Sequence, residues 1–334
     1  MVNERPQKPF KLPENLEDNN ICCNFAKKQT DMCTATLRER YVNFYTDFAF
    51  KKLFGTEVNK ELLISFLNAM FDGREVIRDL NYLNVEHLGH VAEERKAVFD
   101  VYCETETGDK ILVEMQKAEQ EYFVDRSIYY STFAIQEQAP QGRWNFELKR
   151  VYTIGILNFC FDHDSPDYFH HEVKLIDTKT KDVFYDKLSY IYLEMPKFRK
   201  TEEELVTLFD KWLYAIKHLV TLMERPSVLQ EAVFSRFFEQ AEISKYSPEE
   251  QRDYRESQKD FWDFCAVTET AEKRGRIEGI QQGIQQGIQQ GLQQGIQQGE
   301  RAARISIARS LKATGMPTEQ IASITGLTIE EING

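Results

Sequence analysis

Asp100, Glu114 and Gln116 are the residues of this 334-residue chain whose types and spacing point to chemistry. They lie in FDVYCETETGDKILVEMQ, Phe99 to Gln116, where apolar and polar residues alternate on both sides of a Thr-Gly pair. The alternation predicts an antiparallel hairpin with one buried face. A three-residue loop of Glu106, Thr107 and Gly108, with Gly108 left-handed, fixes the register. Phe99 then falls opposite Met115, Val101 opposite Val113 and Cys103 opposite Ile111, which makes one apolar face. On the other face Glu104 meets Lys110, Tyr102 meets Leu112 and Asp100 meets Glu114, with Gln116 one step further along the same arm.

Two carboxylates directly across a hairpin repel each other. At a separation of ~5 Å and an effective dielectric of ~20 the repulsion is about 3 kcal/mol, falling below roughly 1 kcal/mol in bulk water. Such a pair needs a cation, a shared proton or full exposure. Tyr102, Leu112 and the Tyr-rich segment that follows argue for partial burial, which favours the first two. The specific expectation is an oxygen-lined site for Mg²⁺, with Mn²⁺ able to substitute, held by Asp100, Glu114 and the backbone carbonyl of Met115. By spacing alone, ordinary polar residues on a solvated hairpin face would read the same way.

The elements that must position these residues are legible around the hairpin. YTDFAFKKLFG places Phe48, Phe50, Leu53 and Phe54 on helical spacing, with Asp47 as a cap or first-turn acid and Gly55 as a stop. NKELLISFLNAMFDG continues as an amphipathic helix through Leu62, Leu63, Phe66, Leu67 and Met70. Val76 to His90 reads as a first, irregular strand. After the hairpin, QEYFVDRSIYYSTFAIQEQ returns to helical spacing and RVYTIGILNF reads as a buried strand. The fold class expected is α/β: a core of helix, strand, strand, strand, helix and strand, with a mixed sheet flanked by helices and a largely helical C-terminal region. Tyr129 and Phe133 read as core, and the adjacent His170 and His171 as surface residues without ligand partners.

Composition narrows the classes. A net charge of −12 argues against nonspecific coating of DNA, where Lys and Arg dominate, but leaves room for a metal site built from carboxylates. The six cysteines show no metal-ligand or disulfide spacing, so reduced thiols are expected. No apolar run approaches the ~20 residues of a membrane-spanning helix. The amino terminus is too polar for a secretory signal, so a cytoplasmic protein with no membrane partner is expected.

Segment by segment, the reading is a loosely ordered arm over 1–40, a core over 41–160, a β extension over 161–200 and a helical region over 201–274. A GIQQ repeat follows over 275–300, and then a short helical tail over 301–334 that resembles a small helix-turn-helix. The repeat has a period of four against the helical 3.6, so its Ile/Leu column drifts by about 40° per repeat, and each Gly costs a helix roughly 1 kcal/mol relative to Ala. Two readings stand: a low-complexity spacer, or a helix that packs against a second copy and makes a homo-oligomer. In the tail, Gly315 and Gly326 read as helix stops and Thr328 as a cap.

Asp100, then Glu114-Met115-Gln116, on a hairpin within this order of elements, resembles the PD-(D/E)xK nuclease superfamily. TDFAFKKLFG, LLISFLNAMF, FDVYCETETGDKILVEMQ and the DRSIYYS helix are more closely similar to its recombination-promoting nuclease and transposase group, over roughly Tyr41 to Phe159. The resemblance implies Mg²⁺-dependent hydrolysis of DNA phosphodiesters, with Asp100 and Glu114 holding the metal. Gln116 takes the place of the usual Lys; it can hydrogen-bond but carries no charge. Lys117 would point to the opposite face of a regular strand. Asp47 and Lys51, one turn apart, match the group's opening motif, and Arg126 and Tyr130 are placed to contact phosphate from the following helix. A catalytically weak nuclease fold serving as a DNA-binding or assembly module is the alternative, and a scaffold that shares only the fold is a third.

Overall fold

A computed structural model describes residues 39–83, 100–140, 142–161 and 165–333. All but the last two residues of the expected arm over 1–40, the end of the first strand over 84–90, and Phe99 with its pairing to Met115 lie outside the described residues. The chain divides into two compact units, residues 1–265 and 266–334.

In the first unit a helical pair precedes the sheet, α1 (Asp47–Phe54) and α2 (Lys60–Phe71). Thr46, rather than Asp47, caps α1: its side chain accepts from Ala49 N–H, and Asp47 is the first-turn acid beside it. The strands are β1 (Leu80–Tyr82), β2 (Val101–Thr105), β3 (Lys110–Gln116), β4 (Val151–Leu157), β5 (His170–Ile176) and β6 (Val183–Glu194). They form one six-stranded mixed sheet in the order β1-β2-β3-β4-β6-β5. The β1, β2 and β3 pairings are antiparallel, β3 with β4 and β4 with β6 are parallel, and β5 closes antiparallel on β6.

Helix α3 (Phe123–Gln136) connects β3 to β4, as a parallel pair requires. It lies over one face of the sheet, where Tyr102, Leu112, Phe133, Ala134 and Val151 form one small core, and Phe123, Leu157, Phe159, Tyr190 and Tyr192 form another. Two hydrogen bonds pin it there, Ser127 Oγ with Tyr192 Oη at 2.6 Å and Ser131 Oγ with Tyr190 Oη at 2.8 Å. The opposite face carries Val101, Cys103, Ile111 and Val113 into a larger core with α1, α2, α4 (Leu208–His218) and α5 (Ala232–Ala241). Trp212, Phe234 and Phe237 pack there with Phe54 and Phe66, so the sheet and helices α4 and α5 share one hydrophobic interior.

Both histidines of the pair depart from the surface reading. His171 Nε2 hydrogen-bonds with Glu194 Oε1, and Glu194 is fully buried, tied also to Lys197 at 2.8 Å. Burial holds the His170 imidazole below its usual pKa. A partner 23 residues away lies beyond any local spacing pattern. Phe133 is buried as expected, whereas Tyr129, one turn earlier on the same side of α3 and packed edge-on against the Phe133 ring at 5.1 Å, is half exposed.

Helix α6 runs from Pro248 to Ala313, through the whole repeat, with α7 (Thr318–Thr325) and α8 (Ile329–Asn333) after it. In the second unit Ala308, Ile321, Leu327 and Ile332 make a small core. Gly315 and Gly326 have positive φ and end their helices, and Thr328 caps α8 with Glu331 bonded back to the Thr328 N–H. Among the described residues Cys103, Cys160 and Cys265 form no disulfide, and no helix is long and apolar enough to cross a membrane.

Candidate nuclease site

The hairpin forms in the expected register, Val101 with Val113, Tyr102 with Leu112, Cys103 with Ile111 and Glu104 with Lys110. Gly108 is left-handed at φ +85°, a conformation that strains any residue with a Cβ. Thr105 N–H donates to Asp109 across the three-residue loop, and Glu104 and Lys110 form a 3.0 Å ion pair.

Strand β2 stops at Val101, and the Asp100 side chain takes over the ladder: its Oδ2 accepts from Met115 N–H at 2.8 Å. That bond fixes the carboxylate beside Glu114. Burial pushes the Asp100 carboxyl above its usual range, against the Met115 N–H, and the Asp47 charge adds to the rise while Lys51 and Lys117 oppose it. Burial pushes Glu114 to about 7; Arg126 pulls it down and the neighbouring Asp100 pushes it up. The two carboxylates sense each other, as like charges brought together must.

Arg126, from the first turns of α3, closes the group. Its Nη2 donates to Glu114 Oε1 at 2.6 Å and to Gln116 Oε1 at 2.8 Å, and its Nη1 donates to Gln120 Oε1. The guanidinium also lies against the rings of Phe123 and Tyr130 at 5.5 and 5.9 Å. Gln116 is buried and donates its amide N–H to Ala118 O at 3.1 Å. Tyr130 is half-buried against the Tyr102–Leu112 core. Asp47 and Lys51 form an exposed pair at 3.0 Å on α1, and both charges reach Asp100. Strand β3 ends at Gln116, so Lys117 is in a bend rather than a regular strand, and its charge too is felt at Asp100. The structure therefore brings Asp100, Glu114, Gln116 and Arg126 into one cluster, with Tyr130 beside Arg126 and the Asp47–Lys51 pair within electrostatic range of Asp100.

A hard divalent cation suits this donor set. Among the described residues one oxygen of each carboxylate is hydrogen-bonded, Asp100 Oδ2 by Met115 N–H and Glu114 Oε1 by Arg126. Among the described residues no group of three or more His, Cys, Asp or Glu side chains is placed to hold a metal. Mg²⁺ does not need one, since it is commonly bound through one or two carboxylates and keeps several waters. Sequence spacing named Arg126 for phosphate and missed its bond to Glu114. The only signal was an Arg a turn into the helix that must follow the hairpin.

A mixed sheet of this order, with an acidic pair where two hairpin strands end and a helix crossing back over them, defines an α/β restriction-endonuclease-like protein. The model of the PD-(D/E)XK nuclease family transposase group matches residues 44–271, and the chain belongs to that family. The match extends through α4 and α5, well past the segment in which the sequence motifs lie. Family membership supports a nuclease-type function, with DNA the implied substrate and a divalent metal ion the general cofactor. No curated protein and no solved structure matches the chain.

Proposed function

We propose that the chain is a Mg²⁺-dependent DNA endonuclease that hydrolyses phosphodiester bonds in the service of recombination or a mobile element. The observation that carries this reading is the pair of crowded carboxylates, Asp100 and Glu114, one fixed by Met115 N–H and the other by Arg126 so that the two like charges act on each other. The two carboxylates, with the Met115 carbonyl, would hold the cation. When bound, such an ion polarises the scissile phosphate and lowers the pKa of an attacking water. Arg126 holds the Glu114 carboxylate as a resident cation, and its planar fork matches phosphate oxygens, with Tyr130 behind it. Gln116 orients water by hydrogen bonding. Lys51 and Lys117 supply positive charge near Asp100 that Gln116 cannot.

The specific features that favour a second reading, a weak nuclease fold working as a DNA-binding or assembly module, are this uncharged Gln116 and the Arg126 bond on Glu114. Under either reading the GIQQ repeat serves self-association, making a homo-oligomer. Purified protein is expected to nick plasmid with Mg²⁺ or Mn²⁺ and to stop on addition of EDTA, and Asp100→Ala is expected to fall to background. Equal nicking by wild type and Asp100→Ala overturns the endonuclease reading. Salt-sensitive DNA binding without cleavage supports the module instead.

A further inference from the structure

We propose that α6 pairs with α6 of a second copy of this chain, antiparallel and centred on Ile288. The inference deepens the self-association reading and is independent of the metal chemistry. Ile280, Ile284, Ile288, Leu292 and Ile296 recur every four residues along the repeat and are between 48% and 67% exposed, although each is a large apolar side chain. Among the described residues no packing contact accounts for the glycines between them. At Gly279, Gly283, Gly287, Gly291, Gly295 and Gly299, among the described residues and beyond the helix's own nearby backbone, no atom lies within 4 Å of where a Cβ would stand. A helix that gives up side chains with no neighbour to accommodate leaves room for a backbone that approaches from outside.

The flanking charges select the partner and its direction. From residue 279 to residue 299 there is no charged side chain, so the stripe offers nothing for phosphate or an acidic peptide to read. The same four-residue column continues outward as Arg276 and Glu272 on one side and as Glu300 and Arg304 on the other. Arg276 and Glu300 lie equally far from Ile288, and so do Glu272 and Arg304. An antiparallel copy centred on Ile288 therefore sets Arg276 of each chain against Glu300 of the other, and Glu272 against Arg304. In the same register it stacks Ile280 on Ile296 and Ile284 on Leu292. A parallel, in-register copy would face Glu272 with Glu272 and Arg276 with Arg276. The antiparallel arrangement is two-fold symmetric and closes on itself, so it stops at a dimer. A period of four exceeds 3.6, so the stripe winds right-handed about its helix, and two copies keep it buried by wrapping in that sense, which close approach at glycine permits.

The full chain is expected to sediment as a concentration-dependent dimer. Under oxidation, Ile288→Cys alone should give a covalent dimer. Ile280→Cys and Ile296→Cys should not cross-link by themselves, but a mixture of the two should, each compared with the parent chain. Arg276→Glu should weaken dimerisation by roughly tenfold, since both symmetric pairs are lost, and adding Glu300→Arg to the same chain should restore it. Covalent dimers from Ile280→Cys alone, with no gain in the mixture, overturn the antiparallel pairing while leaving self-association in place. A parent chain that stays monomeric at every concentration overturns both.

Discussion

Gly155 and Gly287 both sit inside regular secondary structure, and they are there for different reasons. Gly155 is in β4, beside Glu114 in the ladder; a Cβ there would stand 3.1 Å from side-chain atoms of Leu157 and Tyr192 and 3.4 Å from Phe123. Gly287 is in α6, where a Cβ would meet nothing within 4 Å. In the first unit the fold dictates the residue through contacts already made. In the repeat the chain's own contacts dictate nothing, and the regularity of the sequence points outside the molecule. The first region owes its order to burial and the second to pattern, so substitutions should separate them by size and by sign.

Trp212→Ala should give the largest stability effect. Trp212 is fully buried among Phe54, Phe66, Phe234 and Phe237. Its truncation should cost about 3–5 kcal/mol, seen as a lower denaturation midpoint of the first unit. Ile288→Ala, also the loss of an apolar side chain, should leave that transition unmoved, because Ile288 is 67% exposed. A comparable loss from both would erase the distinction between the regions.

The next effect is one of pH. Burial raises the folded Glu114 carboxyl to about 7 from an ordinary 4.5, and Asp100 moves in the same direction. The folded state thus holds a proton that the unfolded chain has released, and the associated stability, present below about 4.5, is lost as pH rises through about 7. The loss is about 3 kcal/mol for Glu114. Denaturant melts of metal-free protein across this range should show it, Glu114→Gln should flatten most of the slope, and excess Mg²⁺ should oppose it by favouring the ionised pair. A slope unchanged by Glu114→Gln would mean that these carboxylates are not the crowded pair.

These magnitudes also explain what could be read from sequence. Strict alternation around Gly108 fixes a hairpin register because a slip of one residue would turn Val101, Cys103, Ile111 and Val113 out of the core, and the observed pairing follows it. Asp100 and Glu114 meet for the same reason. The bond from Arg126 to Glu114 depends on how α3 is laid across the sheet, which Ser127 and Ser131 set through tyrosines some sixty residues away. The His171–Glu194 pair was hidden likewise. Local periodicity carries register within an element and its neighbour, whereas side-chain pairs between elements distant in sequence carry no periodic trace.

Gly155→Ala should act on a smaller scale but at a telling place. The added methyl presses on Leu157 and on Tyr192, which bonds Ser127 of α3, and touches Phe123, the first residue of α3 and a ring against which Arg126 lies. Overpacking of this kind costs about 1–3 kcal/mol. Plasmid nicking should fall by more than the small drop in melting temperature explains, since α3 carries Arg126 to Glu114. If activity is retained at full level, the position of α3 does not matter to the site.

Gly287→Ala should have the smallest effect and the opposite sign. In a helix, Gly is less favourable than Ala by roughly 1 kcal/mol, chiefly because its unfolded backbone has more freedom to lose. Since an alanine methyl at this position meets no described atom beyond the helix's own nearby backbone, no clash offsets the gain. Dilute Gly287→Ala protein should therefore show greater helicity and slower amide exchange along the repeat than the parent. The same methyl would stand where a second backbone must approach, so at high concentration the variant should associate less than the parent. The two regions differ most sharply here, because a substitution that strengthens the isolated helix weakens the assembly it serves. If Gly287→Ala raises helicity and association together, the repeat's glycines are not spaced for contact.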